Sequence, residues 1–177
     1  MIVWQGADKL VEAYERVGKR LIHLKMIGFA DSDAALRRRA EAAGIETVSQ
    51  VSYERLPDEL RDCHGTSIIA HPDAARYKNG AAPTKWPESL ALGRPILSVD
   101  AYDTAQLIRE LRVGWVVESS VEGLMEGMRR LSETPWEELK QMGLRARAEA
   151  ERNYAWETVG RRFVEAIENA TKRRPGT

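Results

Sequence analysis

The chain has 177 residues, 43% of them hydrophobic and 31% charged, which suits one folded domain and excludes a largely disordered chain. Lys plus Arg and Asp plus Glu each number 27, and this zero net charge argues against a protein whose main task is to grip a nucleic-acid backbone. The single cysteine, Cys63, rules out an internal disulfide. No apolar run approaches the roughly 20 residues of a membrane span, and the start lacks a signal-peptide pattern, so a reducing, cytoplasmic setting is expected. Three histidines (His23, His64, His71) and no paired-cysteine motif give no basis for a structural zinc site.

In chain order, Asp8 to Val17 reads as a helix, with Leu10, Val11, Tyr14 and Val17 on one face. Leu21 to Ile27 reads as a strand that ends at Gly28. Asp33 to Ala43 follows as a helix stopped by Gly44, and its Arg37-Arg38-Arg39 run reads as a solvated face. Ile45 to Val48 is the next strand, and Leu56 to Cys63 a short helix. Thr66 to Ala70 is a strand leading into a long polar loop. Thr84 to Leu92 is a helix closed by Gly93. Pro95 to Val99 and Gly114 to Val117 are strands that enclose a helix from Thr104 to Leu111. Helices from Val121 to Ser132, Trp136 to Arg152 and Trp156 to Thr171 complete the set.

Strands alternating with helices predict βαβ units, and hence a Rossmann-like, doubly wound parallel sheet with extra C-terminal helices. We expect a single domain over residues 1–171 and a frayed tail over 172–177. Trp136 and Trp156 begin amphipathic helices and are expected to anchor them in the core. Cys63 reads as a small buried residue, His23 as a packed or rim histidine, and His64 as a helix C-terminal residue.

Ligands of open parallel sheets sit at the carboxyl ends of strands, near helix N-termini. The loop from His71 to Pro83 stands at such a position, and long loops in compact domains are commonly functional. Gly80, Ala81 and Ala82 would let a ligand approach the backbone, beside Asn79. Thr84 is a candidate N-cap, and the helix start it opens would favour an anion. Lys85 adds positive charge, and Glu88 lies one turn on, placed to accept hydrogen bonds from vicinal hydroxyls. One loop and helix start could thus hold a nucleoside diphosphate by its phosphates and its sugar. A capped surface helix carrying an ordinary Lys/Glu pair would show the same spacing. His71 ends the preceding strand at this place.

The segment Pro83 to Leu97, PTKWPESLALGRPIL, resembles the P-x-K-x-x-E-x-L-A-x-G-x-P stretch of retaining GT-B glycosyltransferases of family 4 type, the group 1 glycosyl transferases. Other segments agree in order. Gln5 to Ala13 is similar to the family's K-G-x-x-x-L-I-x-A opening, Leu24 to Gly28 to its L-x-I-I-G strand, and Val51 to Pro57 to V-x-Y-x-E-L-P. Gly114 to Val117 resembles G-x-L-V, and Asn153 to Val159 the F-S-W-E-x-V that opens the last helix.

The resemblance implies the C-terminal, donor-binding half of such an enzyme, which transfers a glycosyl unit from a nucleotide-diphosphate-sugar to an acceptor hydroxyl. It implies that Glu88 binds the donor ribose, and that Lys85 with the backbone at Thr84 faces the diphosphate. Asn79, Gly80, Ala81 and Ala82 would line the sugar pocket. Val51, Ser52 and Tyr53 would border the nucleobase, with His71, Tyr102 and Asp103 near the donor mouth. No metal or other cofactor is expected, since no acidic D-x-D cluster stands at a strand end. The acceptor-binding N-terminal half would lie outside this chain, in the same parent chain or in a separate subunit, and the full enzyme could sit at a membrane surface. The terminal helix would cross back towards that half.

The chain departs from the family pattern at three places. Gly80 occupies the position of the first glutamate of the family's E-x7-E motif, Gln5 that of its opening lysine, and Asp100 to Thr104 lacks the usual Gly-Gly. These losses leave open a non-catalytic module that binds a nucleotide or a protein partner. A sugar-nucleotide epimerase half is a further alternative.

Overall fold

The structure, a computed structural model, describes residues 6–70 and 83–172. Helix α1 (Ala7–Val17) leads to strand β1 (Lys25–Phe29), helix α2 (Ala34–Ala42) and strand β2 (Glu46–Ser49). A 3-10 turn, Tyr53–Arg55, runs straight into the short helix α3 (Leu56–Glu59), followed by strand β3 (Thr66–Ile68). Helix α4 (Lys85–Ala91), strand β4 (Ile96–Val99), helix α5 (Thr104–Leu111) and strand β5 (Gly114–Val117) come next. Three helices end the chain: α6 (Val121–Glu133), α7 (Trp136–Glu149), which loosens into a π-turn at Ala150–Tyr154, and α8 (Trp156–Lys172).

All pairings among the described strands are parallel. They form two ladders, β1–β2 and β3–β4–β5. One apolar cluster joins them, since Met26 and Phe29 of β1 belong to the same core as Ile68 of β3 and Ile96 of β4. Strand β4 is buried at all four positions, as expected of a parallel strand covered on both faces. The fold is the Rossmann-like α/β domain that the strand–helix alternation predicts.

Several boundaries differ from the expectation. Strand β1 begins at Lys25, and Leu21, Ile22 and Leu24 pack against the core from the connecting turn instead. Gly28 does not end the strand. It takes φ +100° within it, where the β1–β2 register slips by one residue between Ile27 and Phe29, a local kink that suits a glycine. The expected helix through Cys63 stops at Glu59 and unwinds through looser turns.

Helix α4 is fastened by its Trp86 ring, which is buried and donates its indole N–H to the Tyr154 hydroxyl at 2.8 Å. Helix α7 crosses the end of α4 at backbone distance: a Cβ on Gly143 would stand 2.2 Å from the Gly93 carbonyl oxygen. Helix α6 starts on a true cap, Ser120, whose hydroxyl accepts from the Gly123 N–H at 3.0 Å.

Two tryptophans correct the sequence reading. Trp136 is 60% exposed and Trp156 86% exposed, so neither anchors a core. Trp136 meets the exposed His64 edge-on, with ring centroids 5.6 Å apart. His64 caps no helix, and Cys63 is half-buried rather than enclosed. His23 is exposed at the sheet rim, its Nε2 3.6 Å from a Glu46 carboxylate oxygen. Arg37 and Arg39 are tied to Glu41 and Glu15, as a solvated face allows. The expected tail lies mostly in residues 173–177, outside the described residues.

Candidate functional site

The carboxyl ends of β3, β4 and β5 are laced together by side chains that bond to backbone. The Tyr102 hydroxyl, just after β4, donates to the Ile69 carbonyl at 3.2 Å. The Ser119 hydroxyl, just after β5, donates to the Ala70 carbonyl at 2.8 Å. The exit of β3 is therefore fixed from both neighbouring connections, up to the residue before the candidate loop. Ser119 was not singled out from the sequence. Thr104, at the first position of α5, was also missed. It is buried, and its hydroxyl has no hydrogen-bond partner among the described residues.

Right-handed connectivity places the start of α4 at this same carboxyl end of the sheet. Lys85 and Glu88 share a face of α4 at i, i+3 spacing. Glu88 is half-buried, and its carboxylate has no hydrogen-bond partner among the described residues. Burial pushes its pKa above the ordinary carboxylate value, and the positive charge of Lys85 partly counters that.

Thr84 does not act as the expected side-chain cap. Its backbone is already helical, at φ −56° and ψ −29°, and its side chain accepts no cap hydrogen bond. The Trp86 N–H instead bonds to the Pro83 carbonyl at 2.9 Å, so the turn begins one residue earlier than the sequence suggested.

Val51 is half-buried and Ser52 and Tyr53 are exposed, at the carboxyl end of β2, on the other ladder. Glu54 folds back on its own N–H and on the Ser52 hydroxyl, which together hold its carboxyl below the ordinary value. Asp103 is exposed at the start of α5 and caps nothing with its side chain. His71, Asn79, Gly80, Ala81 and Ala82 lie outside the described residues. Among the described residues there is no cluster of three or more His, Cys, Asp or Glu suited to a metal ion. No described helix is long and apolar enough to cross a membrane.

A parallel α/β domain whose polar side chains gather at the carboxyl strand ends is a Rossmann-like domain, a class that takes its ligands at that edge. Residues 2–149 match the family described as glycosyl transferases group 1, and the chain belongs to that family. A comparison with curated proteins finds no match. Among solved structures the fold is similar to Anabaena HepE in complex with UDP-glucose, with a TM-score of 0.76 at 13% identity over 96% of this chain and 46% of that one. It is similar to WaaG, a glycosyltransferase involved in lipopolysaccharide biosynthesis (TM-score 0.65, 20% identity, 83% of this chain and 39% of that one). It also resembles an α,α-trehalose 6-phosphate synthase from Burkholderia multivorans (TM-score 0.65, 14% identity, 100% of this chain and 43% of that one). The chain thus spans less than half the length of each.

Proposed function

We propose that this domain is the donor-binding half of a retaining glycosyltransferase, holding a nucleotide-diphosphate-sugar for transfer to an acceptor hydroxyl. The observation that carries the reading is Glu88, a half-buried carboxylate with no hydrogen-bond partner among the described residues, one turn from a lysine at the start of a helix. A carboxylate raised by burial is relieved by donors, and the paired hydroxyls of a ribose supply two. Lys85 and the backbone at Thr84 meet the diphosphate, and this positive charge stabilises it as a leaving group without a divalent cation. Asn79 to Ala82 line the sugar, Val51 to Tyr53 border the base, and His71, Tyr102 and Asp103 stand at the donor mouth. The UDP-glucose bound by the HepE structure supports a donor of this chemical class.

The acceptor half is a second α/β domain, and α8 is the surface it covers. Support comes from the neighbours, each more than twice the length this chain covers, and from the apolar stripe of α8, where Phe163 is 66% exposed. The second reading, a non-catalytic module, is favoured by Gln5 and Gly80, which replace charged residues of the family pattern.

Calorimetric titration with UDP, GDP and ADP, with and without Mg²⁺, tests the proposal. Saturable binding of one nucleotide, independent of Mg²⁺ and weakened in Lys85→Ala and Glu88→Ala, is expected. Unchanged affinity in both variants overturns the site. Turnover of a donor once an acceptor half is supplied separates the enzyme from the module.

A further inference from the structure

The connection from β2 to β3 is a short helical rod held by charge rather than by the core. Its 3-10 turn Tyr53–Arg55 and helix α3 contain no buried residue. Leu56 and Leu60, its only half-buried apolar side chains, are not among those packed on the core cluster. Three residues of 3-10 and four of α-helix rise about 12 Å, close to the length of a four-residue strand. The rod therefore runs back alongside β2. Tyr53 stands at the carboxyl end of the sheet and Glu59 at the amino end.

Lys25, the first residue of β1, grips the far end of this rod. Its Nζ donates to the Glu59 carboxylate at 2.8 Å and to the Glu59 carbonyl at 3.1 Å. It lies 3.2 Å from the carboxylate of Glu46, its register partner on β2. The Lys25 side chain is only 19% exposed and that of Glu59 22%, so the contact is partly shielded from water. A second pin comes from Arg94, whose Nη2 donates to the Arg61 carbonyl at 2.7 Å. At the near end, the Arg55 N–H bonds to the Ser52 carbonyl at 3.1 Å. A continuously hydrogen-bonded segment thus runs from Ser52 to its anchor at Glu59.

We infer that Lys25 is a positioning residue for the base-facing segment Val51–Tyr53, acting through Glu59 and the rod, and so sets discrimination between nucleobases without touching the ligand. This rests on the donor-binding reading proposed above. The test titrates UDP, GDP and ADP into the full chain and its Lys25→Met, Lys25→Arg, Glu59→Gln and Glu88→Ala variants, alongside thermal unfolding. In Lys25→Met the preferred nucleotide weakens about fivefold while the others change little, so discrimination narrows. Lys25→Arg restores it. Glu59→Gln, which loosens the clamp from the rod side, gives the same narrowing should Lys25→Met fail to fold. Equal weakening of all three nucleotides, or no change, overturns the inference and leaves the clamp a structural tie. Glu88→Ala separates the two readings. If the wild-type chain binds no nucleotide, both fall. If it binds and Glu88→Ala weakens that binding while the clamp variants keep full discrimination, only the clamp inference fails.

Discussion

Glu88 works against the stability of its own fold. Burial raises its pKa, so the ionised form is less favoured in the folded state than in the unfolded chain. Above the ordinary carboxylate range it therefore costs stability, and that cost fades as pH falls through the raised folded value. Glu88→Gln should leave the melting temperature unchanged or raise it, while weakening nucleotide binding about tenfold or more through loss of charged acceptors. Wild-type affinity should fall as pH drops through the raised value, and the glutamine variant should lose that dependence. Calorimetry between about pH 4.5 and 8 checks both, and a lower melting temperature in Glu88→Gln would count against a ligand-binding carboxylate. That Lys85 and Glu88 share a face was legible from spacing, because i, i+3 residues on one helix do so wherever that helix packs. Thr84 stands at the N-cap position but makes no side-chain cap, because its own backbone is already helical and the Pro83 carbonyl starts the turn.

Among the elements, apolar pattern located most strands and helices but could not say where an apolar run leaves the sheet. Leu21, Ile22 and Leu24 satisfy a strand pattern and do pack on the core, but they lie ahead of the strand that begins at Lys25. Helix α5 and strand β5 match their predicted bounds, and Gly114 at the start of β5 admits only a glycine: a Cβ there would fall 1.9 Å from the Ile96 carbonyl oxygen. The α4–α7 crossing was not legible, because contact between Gly93 and Gly143 joins residues 50 apart in sequence. Gly143→Ala should destabilise the domain by about 1–3 kcal/mol, since backbone must move to admit the methyl group. Tyr154→Phe should cost about 1–3 kcal/mol by leaving the buried Trp86 indole N–H without an acceptor. Urea denaturation measures both. The Lys25 clamp carries its own pH signature. Glu59 is held below its ordinary value by the Lys25 ammonium, and Lys25 is held above its own by Glu59. The contribution is present above the unfolded carboxylate pKa and lost as pH falls through the lowered one. It is present below the unfolded lysine pKa and lost as pH rises through the raised one. The difference in urea midpoint between wild type and Lys25→Met should be flat from about pH 5 to 10 and shrink outside that window.

For the whole molecule, the order of family-like segments carried the fold across nearly the full chain, but sequence could not show which apolar faces the fold itself would cover. Trp156 and Trp86 look alike in a hydrophobicity pattern; one is the most exposed large apolar residue described and the other is buried. Helix α8 has 17 residues and none is buried, though Trp156, Val159, Phe163, Val164 and Ile167 recur at helical spacing. Arg162 ties its first turns to Asn153 at 2.6 Å, yet a lone helix of this length is marginal in water without a packed face. Among the described residues nothing covers this stripe, and the proposed second half is the cover it would suit. If so, Phe163→Glu combined with Ile167→Glu should abolish binding of an apolar dye to the isolated domain while shifting its unfolding free energy by no more than about 0.5 kcal/mol. In a chain that carries both halves, the same pair should separate them and raise the exchange rate of the α8 amides. A drop in stability of the isolated domain would instead mean that α8 folds back on its own sheet, and the acceptor half would then have to dock elsewhere.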